Sequence, residues 1–363
     1  VELTDGFLVD FPTLGDIGEA WVRRHCRVPD GYRRGSDFVW SDWQFWCGAK
    51  YYEIRPGVEW GTGEDGKPEP LFNQAFVYRR AQVVAPQKTG KGPWAASMAC
   101  LEAVGPSQFL GWAEKGDGYA CSDWGCGCGW EYEYLPGEPM GMRHPSPVIQ
   151  LTANNEDQVG NVYRPLTAMI RLGPLSDLMS PREGFIRIAG EVGGDDFDRI
   201  DAVTSSARGR LGNPVSWVLH DETGMYTVAN KMVGVAETQR RGAAGMGGRT
   251  METTNAWDPS ENSTAQRTYE SQAPDIFKFY RIPPKGLSWG NKRDRRKILK
   301  YVYAGSPWVN LESIEAEAME LNERDPAQAE RFFGNRLVYG QGSWLRDGLW
   351  EERYDDAAVA AQS

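Results

Sequence analysis

The chain has 363 residues and a formal net charge of −10, a size that fits one large domain or a domain with a sizeable subdomain. A hydrophobic content of 40% with 15 Trp, 15 Tyr and 13 Phe supplies a core and excludes a disordered chain, and no apolar run reaches the about 18 residues of a membrane span. The acidic total excludes a simple basic coat for nucleic acid, yet it leaves room for a local basic channel.

The first residues, "VELTDGFLVDFPTLGD", lack the basic start and apolar run of a signal peptide, so a soluble, cytosolic protein is expected. Helices are expected over 15–25 and 41–54, followed by a Gly/Glu/Pro-rich loop over 56–70. From there strands and helices alternate. Strand candidates are 81–85, 148–152, 185–189, 202–205, 215–220, 250–254 and 276–282. Several are continuous apolar runs without alternation, as in strands buried on both faces. Helix candidates fall at 91–104, 156–172, 225–240 and 263–272, and Asn155 with Gln158 has capping-box spacing for the second. This alternation predicts an α/β fold with a mainly parallel sheet. From about Asn291 the pattern becomes helical and charged, as in a helical lid subdomain. A Gly-, Trp-, Tyr- and Cys-rich insert over 111–147 breaks the rhythm and reads as a surface excursion.

The eight residues Ala85-Pro86-Gln87-Lys88-Thr89-Gly90-Lys91-Gly92 lie between a strand and a small-residue helix. That is where a phosphate loop places its turn of backbone N–H groups, its Lys and its helix N-terminus. Gly90 and Lys91 are in register with such a loop, but Ala85 replaces the first Gly and Gly92 replaces the Ser/Thr that usually holds Mg²⁺. In "NPVSWVLHDETG" an apolar strand runs into Asp221 and Glu222. There an Asp can hold Mg²⁺ and an adjacent Glu can polarise a water for attack on a γ-phosphate. A helix N-terminus with two acidic residues is the bland alternative. Some thirty residues on, Thr253, Thr254 and Asn255 end another strand, where polar groups could sense the γ-phosphate; a capped turn would look the same. Gln44, in "WSDWQFW", could read an adenine edge, though its spacing from Ser41 also fits a capping box.

Taken together, "DWQ", "VVAPQKTGKG", "PVIQLTANNEDQVGNVYRPL", "VSWVLHDETG", "TMETTNAW", "SPWVNLESIEAE", "AERFFGNRLV" and "GSWL" resemble, in order and spacing from about Trp40 to Trp350, the large terminase subunit of tailed bacteriophages, the ATP-driven motor of DNA packaging. The resemblance implies a P-loop NTPase of the additional-strand (ASCE) type, with a mainly parallel sheet flanked by helices and a C-terminal helical lid. It implies an N-terminal helical region over 1–55, an ATPase core over 56–290, a lid or linker over 291–350 and a tail over 351–363. ATP and Mg²⁺ would be the cofactors. Gln44 would contact adenine; Pro86, Gln87, Lys88, Thr89, Gly90, Lys91 and Gly92 would line the phosphates. Asp221 would serve Mg²⁺, Glu222 would activate water, and Thr253, Thr254 and Asn255 would couple hydrolysis to movement. Gln87 followed by Lys88 stands where terminases often carry an Arg, so the source of transition-state charge is open. Arg208 and Arg210 are candidates, with Arg164 a third.

Double-stranded DNA, the portal protein, the small terminase subunit and further copies of the chain, in a ring on the portal (a pentamer, with a monomer an alternative in isolation), are the implied partners. No membrane partner is expected, and the setting is the cytoplasm of the infected bacterial host. Arg240, Arg241, Lys292 and Arg295 are the DNA-contact candidates; a solvated helix face is the alternative for both clusters. The family usually carries a nuclease domain, and Asp355 and Asp356 do not form such a site, so ATP hydrolysis without DNA cleavage is expected. A helicase-like ATPase and a structural protein with a decayed loop remain the competing functions. The six cysteines are expected to be reduced. Cys121, Cys126 and Cys128 crowd together, and two readings stay open: three free thiols in a loop, or a zinc site completed by His144.

Overall fold

The computed structural model describes residues 8–189, 197–204 and 214–340. Among these residues the central sheet has eight strands: β1 (Arg80–Val84), β2 (Val148–Thr152), β3 (Met179–Pro181), β4 (Phe185–Ile188), β5 (Arg199–Val203), β6 (Trp217–Asp221), β7 (Arg249–Thr254) and β8 (Ile276–Tyr280). Their spatial order is β8-β1-β7-β6-β2-β5-β4-β3. The six strands from β8 to β5 are parallel, while β4 and β3 run antiparallel at the edge. β7 separates β1 from β6, with Thr253 beside Val83 on one side and Asp221 on the other. This is the additional strand, and the expected fold class is observed.

Both faces of the sheet are covered, which is why its strands read as continuous apolar runs. On one face Ala81, Val83, Ile149, Leu151, Leu219 and Met251 join the main core with α1 (Gly15–His25), α2 (Asp42–Tyr51), α3 (Lys91–Val104) and α4 (Glu156–Leu172). Alternate residues point the other way, towards α5 (Met232–Gly245) and α6 (Thr264–Glu270). That second face carries buried polar groups in mutual register. Gln239 donates to Gln150 and Thr152, His220 contacts Gln239, and Thr268 donates to Glu252. Pairing of this kind is required of polar side chains removed from water.

The predicted helices 15–25, 91–104 and 156–172 have the observed bounds, and the Asn155 side chain caps α4 by accepting from the Gln158 N–H at 2.9 Å. The helix predicted over 225–240 is displaced and runs Met232–Gly245. Asn230 is the reason: its side chain accepts from Thr227 N–H and donates to Met225 O, closing a turn that places Lys231 in the left-handed region. The strand predicted over 202–205 begins three residues earlier, at Arg199; Ser205 lies outside the described residues.

The insert over 111–147 is more than a surface excursion. Strand Gln108–Trp112 pairs with Pro139–Met142, and Gly118–Ala120 pairs with Glu131–Glu133. Tyr119, Cys121, Cys126 and Tyr134 are buried in the main core. Sequence periodicity missed these strands because each is five residues or fewer. At the other end, α7 (Lys292–Val302), α8 (Leu311–Arg324) and α9 (Pro326–Gly334) pack around their own cluster of Trp289, Ile298, Leu299, Tyr303, Ile314 and Phe333.

The buried pair of Arg249 and Glu102 joins the start of β7 to α3 at 3.0 Å, each side chain 3% exposed. Arg249 also donates to Tyr51 O and lies 3.6 Å from the Phe76 ring centre, while Glu102 accepts from the Tyr52 hydroxyl. Removing one partner of such a pair leaves an uncompensated charge in the core. Arg249→Met is therefore expected to lower stability by about 3–5 kcal/mol in chemical denaturation. The double variant with Glu102→Gln should lose less than the two single losses combined.

Candidate nucleotide site

The site assembles at the carboxyl ends of β1, β7 and β6, as ligand sites do in open parallel sheets. After β1, Lys88 and Gly90 adopt left-handed conformations at φ 66° and 89°. The chain thereby turns tightly enough for α3 to begin at Lys91, which aims backbone N–H groups and a helix N-terminus at the loop. Thr89 is buried and its hydroxyl donates to Pro86 O at 2.8 Å, bracing the turn. Lys88 is exposed at the tip.

Lys91 is 7% exposed. Its Nζ donates to Ala85 O at 2.8 Å, Pro86 O at 3.0 Å and Asn255 Oδ1 at 2.8 Å. Burial pulls the Lys91 ammonium below its ordinary pKa, and the Glu222 and Asp221 carboxylates oppose that shift. The Asn255 amide continues the chain of contacts. Its Nδ2 donates to Glu222 Oε2 at 3.0 Å and its backbone N–H donates to the same oxygen at 3.2 Å. Glu222 holds a left-handed backbone, φ 56° and ψ 48°, which is uncommon for a residue with a side chain and is characteristic of strained functional positions.

Asp221 is buried, and its Oδ1 accepts from the Thr253 hydroxyl at 2.6 Å. Burial, followed by the Glu222 charge, pushes its carboxyl up to about 7. Thr254 accepts from Gly224 N–H and donates to Asn255 O. The sequence-predicted residues Lys91, Asp221, Glu222, Thr253, Thr254 and Asn255 thus stand in one connected network.

Gln44 is 1% exposed. Its Oε1 accepts from Ser41 N–H at 3.0 Å and its Nε2 reaches Gly90 O at 3.4 Å. The side chain therefore caps α2 and touches the loop that precedes α3 at Gly90. Arg208 and Arg210 lie outside the described residues. Arg164 is exposed on α4. Among the DNA-contact candidates, Lys292 and Arg241 are exposed. Arg295 turns inward: it is 6% exposed, donates to Trp289 O and pairs with Glu315 at 3.4 Å. It has no free face for DNA, because α7 buries the side of the helix that carries it. Arg240 likewise lies 4.0 Å from buried Glu252. His144 is not with the three cysteines; its Nδ1 accepts from Ser146 N–H and its ring packs on Phe72. His25 takes the fourth position instead, on geometry described below.

Sequence reasoning missed the C-terminal contacts to the loop. Tyr303 donates to Gln87 O at 2.9 Å, Gln87 N–H donates to Phe332 O at 2.9 Å, and Ser306 reaches Thr89 O at 3.4 Å. Trp308 packs so closely on Gly90 that a Cβ there would meet its ring at 2.8 Å. None of these residues has a motif that names its partner.

Gly92 has a steric reason. A Cβ at this position would stand 2.8 Å from the backbone oxygen of Asn161 in α4, inside any real contact, so a hydroxyl-bearing residue cannot enter without moving α4. Gly92→Ser and Gly92→Thr are expected to lower stability in urea denaturation by about 1–3 kcal/mol, Thr more than Ser. Unchanged midpoints would show that α3 and α4 do not approach this closely.

No family model matches the chain. The Gene 13 protein of Mycobacterium phage D29 is 23% identical over 311 residues, covering 77% of this chain and 48% of that protein. The Gene 13 protein of Mycobacterium phage L5 is 22% identical over 316 residues, covering 78% and 48%. The chain therefore spans about half the length of the curated relatives it matches. The crystal structure of the HK97 bacteriophage large terminase superposes with a TM-score of 0.59 at 16% identity, over 90% of this chain and 56% of that one. The protein has the fold of a phage large terminase over this superposed part, with a mainly parallel sheet flanked by helices.

Proposed function

We propose that this chain is the ATPase motor of a phage DNA-packaging machine, coupling ATP hydrolysis to translocation of double-stranded DNA into a procapsid. The observation that carries the reading is the Lys91–Asn255–Glu222 chain of contacts at 2.8 and 3.0 Å. It links a phosphate-binding lysine to a general-base carboxylate through the tip of an additional strand. The terminase fold supports the DNA and procapsid part.

In this reading Lys91 exchanges its loop carbonyls and Asn255 for the β- and γ-phosphates of ATP, with the loop N–H groups around Gly90 completing the cradle. Gln44, already touching Gly90 O, meets the adenine side. Glu222 takes a proton from the water that attacks the γ-phosphorus, and the bond to the ADP oxygen breaks. Lys88, exposed beside the loop, and Arg164 are the described cations that could meet the developing charge.

The residues present fit Mg²⁺ on the strand side. Asp221 is a carboxylate destabilised first by burial and then by the Glu222 charge, a situation that a divalent cation relieves, and Gly92 offers no room for the usual hydroxyl. Asp221, with Thr253 at 2.6 Å, would hold the ion, which neutralises phosphate charge when bound. Loss of the γ-phosphate would free Asn255 to rejoin Lys91, passing the change through Thr254 to Gly224 and through the loop to α7–α9. The chain would act in the cytoplasm of the infected host as a ring on a portal, with a small terminase subunit as partner. Among the described residues no helix is long and apolar enough to cross a membrane.

Glu222→Gln is expected to keep ATP binding and to reduce phosphate release by about 10²–10⁴-fold, whereas Lys91→Ala should lose binding. Fluorescent-nucleotide titration and single-turnover phosphate release, with DNA present, measure both. Turnover that survives Glu222→Gln overturns the assignment. So does a wild-type protein that binds no ATP.

A further inference from the structure

His25 closes a four-ligand cluster that the nucleotide chemistry does not use. It is the last residue of α1, 96 positions before the nearest cysteine of the insert. Its Nε2 stands 3.3 Å from Cys121 Sγ, 3.7 Å from Cys126 Sγ and 3.2 Å from Cys128 Sγ, and all four atoms lie within 4.8 Å of one another. A tetrahedral zinc with Zn–S near 2.3 Å and Zn–N near 2.0 Å has N···S edges of about 3.5 Å. The observed set brackets that value.

Three further features prepare these atoms for a metal. First, His25 Nδ1 lies 2.8 Å from Trp21 O; a carbonyl only accepts, so the proton sits on Nδ1 and the Nε2 lone pair faces the sulfurs. This is the outer contact that orients metal-bound imidazoles. Stacking on Trp21 at 4.4 Å and the edge contact with Trp130 fix the ring plane. Second, the backbone curls around the sulfurs. Cys126 N–H donates to Cys121 O, Cys121 N–H donates to Trp130 O, and Gly125 and Gly129 supply left-handed turns. Third, His25, Cys121 and Cys126 are buried, at 0%, 1% and 4% exposed. Cys128 is half-buried, and a full set of four protein ligands describes a structural rather than a catalytic centre.

We propose that His25, Cys121, Cys126 and Cys128 bind one structural zinc ion that fastens the insert to the end of α1. The insert's hairpins are short, with paired strands of three to five residues, and two-stranded units of that size need an added constraint to hold a fixed position. Because α1 packs on α2 and α3, the ion ties the insert to the helices that flank the loop before Lys91. The proposal is independent of the ATPase reading, since its test reads metal and not turnover.

Elemental analysis of the full chain, purified without chelator or added zinc, should find about one zinc per chain. Replacement with Co²⁺ should give the intense visible d–d bands of a tetrahedral site and a near-ultraviolet thiolate charge-transfer band. Cys121→Ser and Cys126→Ser should lose the metal. His25→Cys should retain it with a stronger charge-transfer band, and His144→Ala should retain it unchanged. Zinc well below one per chain in soluble wild-type protein, with no charge-transfer band on Co²⁺ addition, overturns the site. A disulfide among the three cysteines detected by intact mass does the same. Zinc lost in His144→Ala but kept in His25→Ala overturns the assignment of the fourth ligand.

Discussion

Lys91 and Glu222 never touch. Asn255 stands between them, accepting from one at 2.8 Å and donating to the other at 3.0 Å, and it can do so because β7 lies between β1 and β6 in the sheet. Strands in a parallel sheet are about 4.8 Å apart, so β1 and β6 stand two spacings apart with β7 between them. The inserted strand turns that distance into a relay. The placement of Thr253 on Asp221 and of Thr254 on Gly224 follows from the same strand and its register.

The loop is held from three directions at once. From below, Lys91 and Thr89 close it through Ala85 and Pro86. From the N-terminal helices, Gln44 reaches Gly90. From the C-terminal helices, Tyr303, Ser306 and Phe332 bond its backbone and Trp308 covers Gly90. A ligand that displaces Lys91 from its carbonyls therefore alters a loop whose other hydrogen bonds end in α7–α9. Coupling of this kind needs a contiguous physical connection with differing contacts in each state, and the connection is present in these bonds. The close approach of α4 at Gly92 adds a rigid wall on the remaining side. That approach accounts for the most conspicuous departure in the phosphate-loop pattern.

Much of the fold was legible because the signals are local. Apolar runs marked the strands of the parallel core, and small residues after Gly90 marked α3. The Asn155–Gln158 spacing marked the start of α4. Where a side chain acts on the backbone a few residues away in an unusual way, the reading slipped: Asn230 closes a turn that moves the start of α5 to Met232. The insert's strands were invisible because three to five residues carry too little periodicity. Charge was the least informative signal. "NKRDRRKILK" reads as a basic patch, yet Arg295 within it is buried against Glu315 while Lys292 is exposed. Helical phase against a partner decides that difference, and the partner, α8, comes later in the chain.

By itself the sequence determined the α/β class, the positions of the loop between β1 and α3 and of the acidic end of β6, and the chemical types gathered at each. These properties depend on neighbours within a few positions, so they survive in one dimension. The tertiary structure alone decided the identity of long-range partners. It chose His25 over His144 beside the three cysteines, set Asn255 between Lys91 and Glu222, and brought Asn161 against Gly92. These contacts join segments from 33 residues apart, for Asn255 and Glu222, to 164, for Lys91 and Asn255. Their partners are selected by how the sheet and helices pack, a constraint that no local pattern of residue types encodes.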